Sequence, residues 1–134
     1  MRKIIVITLI ISMMAGFANA QHTLIYTHKD VLFNKGKELF NQRKYAASYR
    51  NFEEFLKTTD TKNAGQIQEA EYYMAANAYE LKQDDAGKML KAYLFKHPYT
   101  PFFDKTNVML GMLEYEKKQY AQALTYFNNV NYIS

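Results

Sequence analysis

The chain has 134 residues, with 12 tyrosines and 9 phenylalanines but no tryptophan and no cysteine; 49 % is apolar and 22 % charged, the balance of an ordered globular chain. The lack of cysteine excludes disulfides, thiolate metal sites, a catalytic thiol and a lipidated cysteine anchor. The formal net charge is +4, yet with Arg2 and Lys3 set aside 15 basic residues face 13 acidic ones, too even a balance for a nucleic-acid surface.

Taken in chain order, residues 1–20 read as an export signal. Arg2 and Lys3 form a positive start, Ile4 to Met14 is an apolar run, and Ala18-Asn19-Ala20 gives a small-x-small cleavage pattern. The run is short of the ~20 apolar residues that span a bilayer. Cleavage after Ala20 and a periplasmic, non-lipidated product are expected, with residues 21–28 an extended lead-in. Helices are expected at about 29–43, 45–58, 66–82, 84–97, 101–117 and 120–130. Thr27-x-x-Asp30 suits a capping box for the first, and Thr100-Pro101 an N-cap and first-turn proline for the fifth. A polar stretch, Thr58–Gly65, separates the second and third.

These helices repeat. Aligning Gly36 with Gly111 pairs Tyr45 with Tyr120, Ser48 with Ala123, Phe52 with Phe127 and Phe55 with Val130. A third copy centres on Ala76, with Tyr72 before it and Tyr79 after it. Its second half, Ala86, Leu90, Tyr93 and Pro98, fits only if the step between small residues shortens from 12 to 10. Small residues let paired helices approach, and aromatic residues fill the gaps between hairpins. The expected fold is therefore all-α, three antiparallel helix hairpins over 29–65, 66–100 and 101–134. Phe52 and Phe127 are expected to be core residues of equal weight.

The segments LFNKGKELFNQRKYAASYRNFEEFLKTTD and NVMLGMLEYEKKQYAQALTYFNNV resemble the tetratricopeptide repeat (TPR), and the resemblance runs over residues 29–134. FKHPYTPFFDKTNVMLGMLEYEKKQYAQALTYF is similar to exported TPR proteins of Gram-negative envelopes, such as the outer-membrane assembly lipoproteins and the Tol–Pal-associated proteins. Asn107 and Glu114 stand where members usually carry large apolar residues. The resemblance implies a right-handed superhelical array whose first helices line a concave groove for a peptide or partner helix. Counted from the small residues, that groove comprises Phe33, Lys37 and Phe40, then Tyr73, Asn77 and Glu80, then Lys105, Val108, Met112 and Tyr115. Of the slots that clamp a chaperone-tail carboxylate, only Lys105 keeps the family's residue type, so no such clamp is expected.

The sequence holds no phosphate-binding loop, no dinucleotide turn, no HExxH and no G-x-S-x-G. His22 and His28 have no clustered third ligand, and His97 suits a packed turn position. No enzyme activity, cofactor, metal, nucleic acid or small-molecule substrate is expected. The expected function is a non-catalytic envelope scaffold that holds a protein partner through the concave face. Tyr120, Ala123, Leu124, Phe127 and Val130 form an apolar face without a polar helix behind it. That face suggests a chain truncated at its C-terminus, with the partner site itself as another explanation of the face. The alternatives are a homodimer through the last hairpin, or an N-terminal adaptor domain of a larger envelope protein.

Overall fold

The computed structural model describes residues 29–60 and 62–130. The expected signal segment, the expected lead-in with the candidate capping residue Thr27, and the last four residues lie outside them. The described residues form six helices and no strand. They are α1 (29–41), α2 (Tyr45–Thr58), α3 (Ala64–Glu80), α4 (Ala86–Lys96), α5 (Phe103–Glu116) and α6 (Tyr120–Asn128). Each helix packs on the next. None of the described helices is long and apolar enough to cross a membrane.

Three of the connections are built alike, and the residue that makes each turn is basic. Arg43, Lys82 and Lys118 adopt left-handed backbone, with φ of 58°, 56° and 62°. The N–H groups of Lys44, Gln83 and Gln119 reach back to the carbonyls of Leu39, Ala78 and Glu114, while those of Arg43, Lys82 and Lys118 bond Phe40, Tyr79 and Tyr115. This is the Schellman pattern, which satisfies carbonyls that a helix end leaves bare. Left-handed backbone costs a non-glycine residue roughly 1–2 kcal/mol, offset in part by a cation at the negative end of a helix dipole.

Between α1 and α2 the contact is close because Gly36 has no side chain. The Ser48 hydroxyl donates to the Gly36 carbonyl at 2.8 Å, and the Phe52 ring lies over the Gly36 backbone. Phe33, Phe52, Phe55 and Ala70 form a first core cluster, joining α1, α2 and α3. A second joins Tyr72, Ala76 and Tyr93, with Phe102 stacked on Tyr72 at 4.0 Å between ring centres. A third is made of Ala75, Leu90 and Leu110. Ala86 and Ala123 are buried, Pro98 is exposed, and Gly111 lies under the Phe127 ring. His97 packs beside Tyr93, with 5.1 Å between the rings.

The middle hairpin differs from the expected alignment. Measured back from its left-handed residue, the counterpart of Gly36 and Gly111 is Ala75, one residue before Ala76. Both alanines are buried, so each packs as a small residue must. The other part of the shortened step lies at the start of α4. There Ala86 bonds back three residues to Gln83, whereas Ser48 and Ala123 bond back four, to Lys44 and Gln119. The tighter first turn advances α4 by one residue, so that Ala86, Leu90 and Tyr93 take the places of Ser48, Phe52 and Phe55.

The two polar residues in apolar slots are also accommodated. Asn107 donates to the Phe103 carbonyl at 3.0 Å and faces the Asn129 amide at 3.4 Å. The buried Glu114 carboxylate lies 3.6 Å from Lys91 and 3.4 Å from Lys117.

Candidate functional site

The expected groove residues separate into two groups. Five of them, Phe33, Lys37, Phe40, Tyr73 and Asn77, make the seam where α3 lies on the first hairpin, while Glu80 is exposed at the end of α3. Phe33 is only 5 % exposed and belongs to the core. The Lys37 ammonium pairs with Glu69 at 2.6 Å, and that hydrogen bond raises its pKa above the ordinary lysine value. Tyr73 stacks parallel on Phe52 and meets Phe40, both at 5.0 Å. Asn77 is buried and donates to the Ser48 hydroxyl at 2.9 Å, extending the bond from Ser48 to Gly36 into a relay across three helices. Asn77 therefore does not line a surface groove. The one-residue offset of the middle copy explains this, because the turn geometry makes Ala76 the counterpart of Lys37.

The other group stays on the surface. Lys105, Val108, Met112 and Tyr115 form one exposed stripe along α5, with Val108 41 % and Tyr115 56 % exposed. Tyr120 and Leu124 of α6, each 58 % exposed, continue it, and the Tyr115 and Tyr120 rings meet at 5.3 Å. In the first hairpin the corresponding residues are Phe33, Lys37, Phe40, Tyr45 and Tyr49. There Phe40 and Tyr45 meet in the same way at 5.5 Å, but α3 lies on top, through Tyr73 on Phe40 and Glu69 on Lys37. The same surface is thus covered in the first hairpin and uncovered in the last. Exposed apolar residues gathered in one patch mark a docking surface more strongly than scattered ones do.

A second site was not legible in the sequence. Glu71 accepts hydrogen bonds from Lys96 at 2.5 Å and from His97 at 2.6 Å, at the rim of a cavity of about 310 Å³ lined by Met74, Ala75, Met89, Ala92 and Tyr93. Glu71 lies 25 and 26 residues from the adjacent Lys96 and His97 and meets them because α3 and α4 run antiparallel. Burial pushes the Glu71 carboxyl upward, but the bonds and charges of Lys96 and His97 outweigh it, leaving its pKa below the ordinary 4.5. A carboxyl lowered on folding adds stability above its unfolded pKa and loses it as pH falls through the folded value. The Glu71→Gln variant is expected to unfold more easily than the parent at pH 7, by about 0.5–1 kcal/mol for a pair this open to water. That gap should close in acid below the glutamate range. Urea titrations of both proteins at neutral and acid pH measure it; a gap that persists in acid would show that the carboxylate charge is not its source.

Among the described residues no cluster of three or more histidine and acidic side chains could hold a metal ion. Comparison of the chain with models of known families, with curated proteins and with solved structures gives no match.

Proposed function

We propose that the chain is a tetratricopeptide-type scaffold of the bacterial cell envelope, exported with removal of residues 1–20, that works without catalysis by holding another protein. The observation that carries this reading is the uncovered stripe of Val108, Met112, Tyr115, Tyr120 and Leu124, since aromatic and methionine side chains are enriched at protein interfaces. The three alike hairpins support a repeat array, and the pairing of α1 with α3 and of α3 with α5 supports a superhelical stack in which first helices share one side.

The groove defined by the resemblance narrows to its last third. Phe33, Tyr73 and Asn77 are spent on internal packing, while Lys105, Met112 and Tyr115 remain for a partner. A photoreactive phenylalanine analogue in place of Met112, in cells of the source organism, is expected to give a discrete crosslinked adduct that Tyr115→Arg weakens at least tenfold. The same analogue in place of the exposed Arg50 on α2 should give none. An adduct pattern that is the same from both positions, or that is indifferent to Tyr115→Arg, would contradict the reading.

A further inference from the structure

The helix that covers each hairpin uses the same positions. On the first hairpin these are Gln66, Ala70, Tyr73 and Asn77 of α3. On the second they are Phe102, just ahead of α5, and Thr106, Met109 and Leu113 within it. Each member of the second set lies 36 residues after its counterpart. Gln66 donates to Asp30 at 3.3 Å, and Phe102 stacks on Tyr72. Ala70 and Thr106 are both fully buried small residues. Tyr73 and Met109 are large, and each packs into a cluster of the hairpin below. Asn77 lies over the start of α2 at Ser48, as Leu113 lies over the start of α4, 3.6 Å from where a Cβ on Gly87 would stand. The covering rule is thus a stripe at i, i+4, i+7 and i+11, small at the second position and large at the third.

The third hairpin presents the matching surface with altered chemistry. Lys105 stands where the first hairpin has Asp30, Met112 where it has Lys37, and Ala123 where it has Ser48. Tyr115 and Tyr120 repeat the ring pair of Phe40 and Tyr45. We infer that the α5–α6 face docks an amphipathic helix of a partner protein in the register that α3 takes on the first hairpin. That helix carries an acidic residue at i against Lys105 and an apolar one at i+3 against Met112. It also carries a small residue at i+4, a large apolar residue at i+7 on the tyrosine pair, and an apolar one at i+11 over Ala123.

A second copy of this chain stacked head to tail does not meet that rule. Its α1 offers Val31, Asn34 and Glu38 at the corresponding positions. Asn34 and Glu38 are solvent-facing, Glu38 already bonded to Lys35 and Gln42. Burying such groups on Tyr115 and Ala123 would cost free energy without return.

The inference rests on the scaffold reading and names its partner's chemistry. The probe is a stapled helical peptide of about 16 residues, the staple supplying the helicity that so short a peptide lacks in water, with Glu, Leu, Ala, Met and Leu at i, i+3, i+4, i+7 and i+11. Titrated into the full chain and followed by methyl NMR, it is expected to shift Met112 and Val108 while leaving Met74 unmoved. A peptide with Lys at i, or with i+4 and i+7 exchanged, should bind at least tenfold more weakly. Equal binding of all three peptides, or no shift at Met112, overturns the inference. If light scattering shows a dimer in which Met112 is already protected, the occupant is a second copy and the scaffold reading stands without this register. If the chain is a monomer and the crosslinking from Met112 also gives no discrete adduct, both fail together.

Discussion

Replacing Phe52 with alanine is expected to destabilise the chain by about 3–5 kcal/mol, the cost of truncating a fully buried aromatic. The ring is 0 % exposed and is enclosed by three helices. It meets Phe33 of α1 edge-on at 5.9 Å, stacks on Tyr73 of α3 at 5.0 Å, and covers the Gly36 backbone. Truncation leaves a cavity among the packed rings, and its walls lose their contacts. Phe127 holds the same slot in the last hairpin and would cost as much if the repeats were equivalent. It is only half-buried, however, because none of the described helices lies on that hairpin. Its truncation is expected to cost about 1–2 kcal/mol, in proportion to the smaller area it removes from water. Urea denaturation followed by circular dichroism measures both; equal losses at the two sites would contradict the difference in covering.

The second large effect lies at Gly36. A Cβ there would stand 2.8 Å from the Phe52 ring, and that ring has nowhere to go because Tyr73 and Phe33 hold its other faces. Gly36→Val is expected to cost about 3 kcal/mol, the upper part of the range for overpacking a filled core. Gly111 makes the instructive contrast. The Phe127 ring is closer still to the position of its missing Cβ, yet that ring is half-exposed and can turn away. Gly111→Ala should therefore fall within about 1 kcal/mol of the parent, since the gain from replacing a mid-helix glycine is of similar size. Thermal unfolding of the two variants ranks them, and a Gly111 variant less stable than the Gly36 one would show that the Phe127 ring is held from outside.

Much of the fold was legible because its local signals are strong. The spacing of small and aromatic residues placed all six helices, several of them to within a residue or two. α3 begins at Ala64 rather than 66, and α5 at Phe103 rather than 101. At α5 the N-cap position falls to Phe102 and not to Thr100, whose hydroxyl instead accepts the Phe102 N–H in a turn that precedes the helix, with Phe103 bonded back to the Thr100 carbonyl. α4 starts at Ala86 rather than 84 because Asp84 and Asp85 form a turn.

The register of the middle repeat was harder to read. The chain reverses at Arg43, Lys82 and Lys118, residues that carry no turn signal of the kind glycine gives. With that anchor unseen, the alignment settled on Ala76 instead of the adjacent Ala75, and the one-residue slip moved Asn77 from the core to the supposed groove. The division of the groove into a spent part and an open part depends on which hairpins are covered, a tertiary fact that no single helix encodes. For the same reason Phe33 and Tyr73, aromatic and helically spaced like Tyr115, could not be told from it in the sequence. The ion cluster of Glu71, Lys96 and His97 likewise exists only once α3 and α4 are antiparallel.

The account turns on one asymmetry: equivalent surfaces are covered by α3 and α5 on the first two hairpins and open on the third. Hydroxyl-radical footprinting of the full chain, resolved by residue with mass spectrometry, reads that asymmetry directly. Met112, Tyr115 and Tyr120 are expected to label fast, whereas their neighbours in kind, Tyr72, Tyr93 and Phe52, should be protected until the chain unfolds. Fast labelling of Tyr72 and Phe52 under native conditions, or protection of Tyr115 and Tyr120 in the dilute chain without a partner, would contradict it.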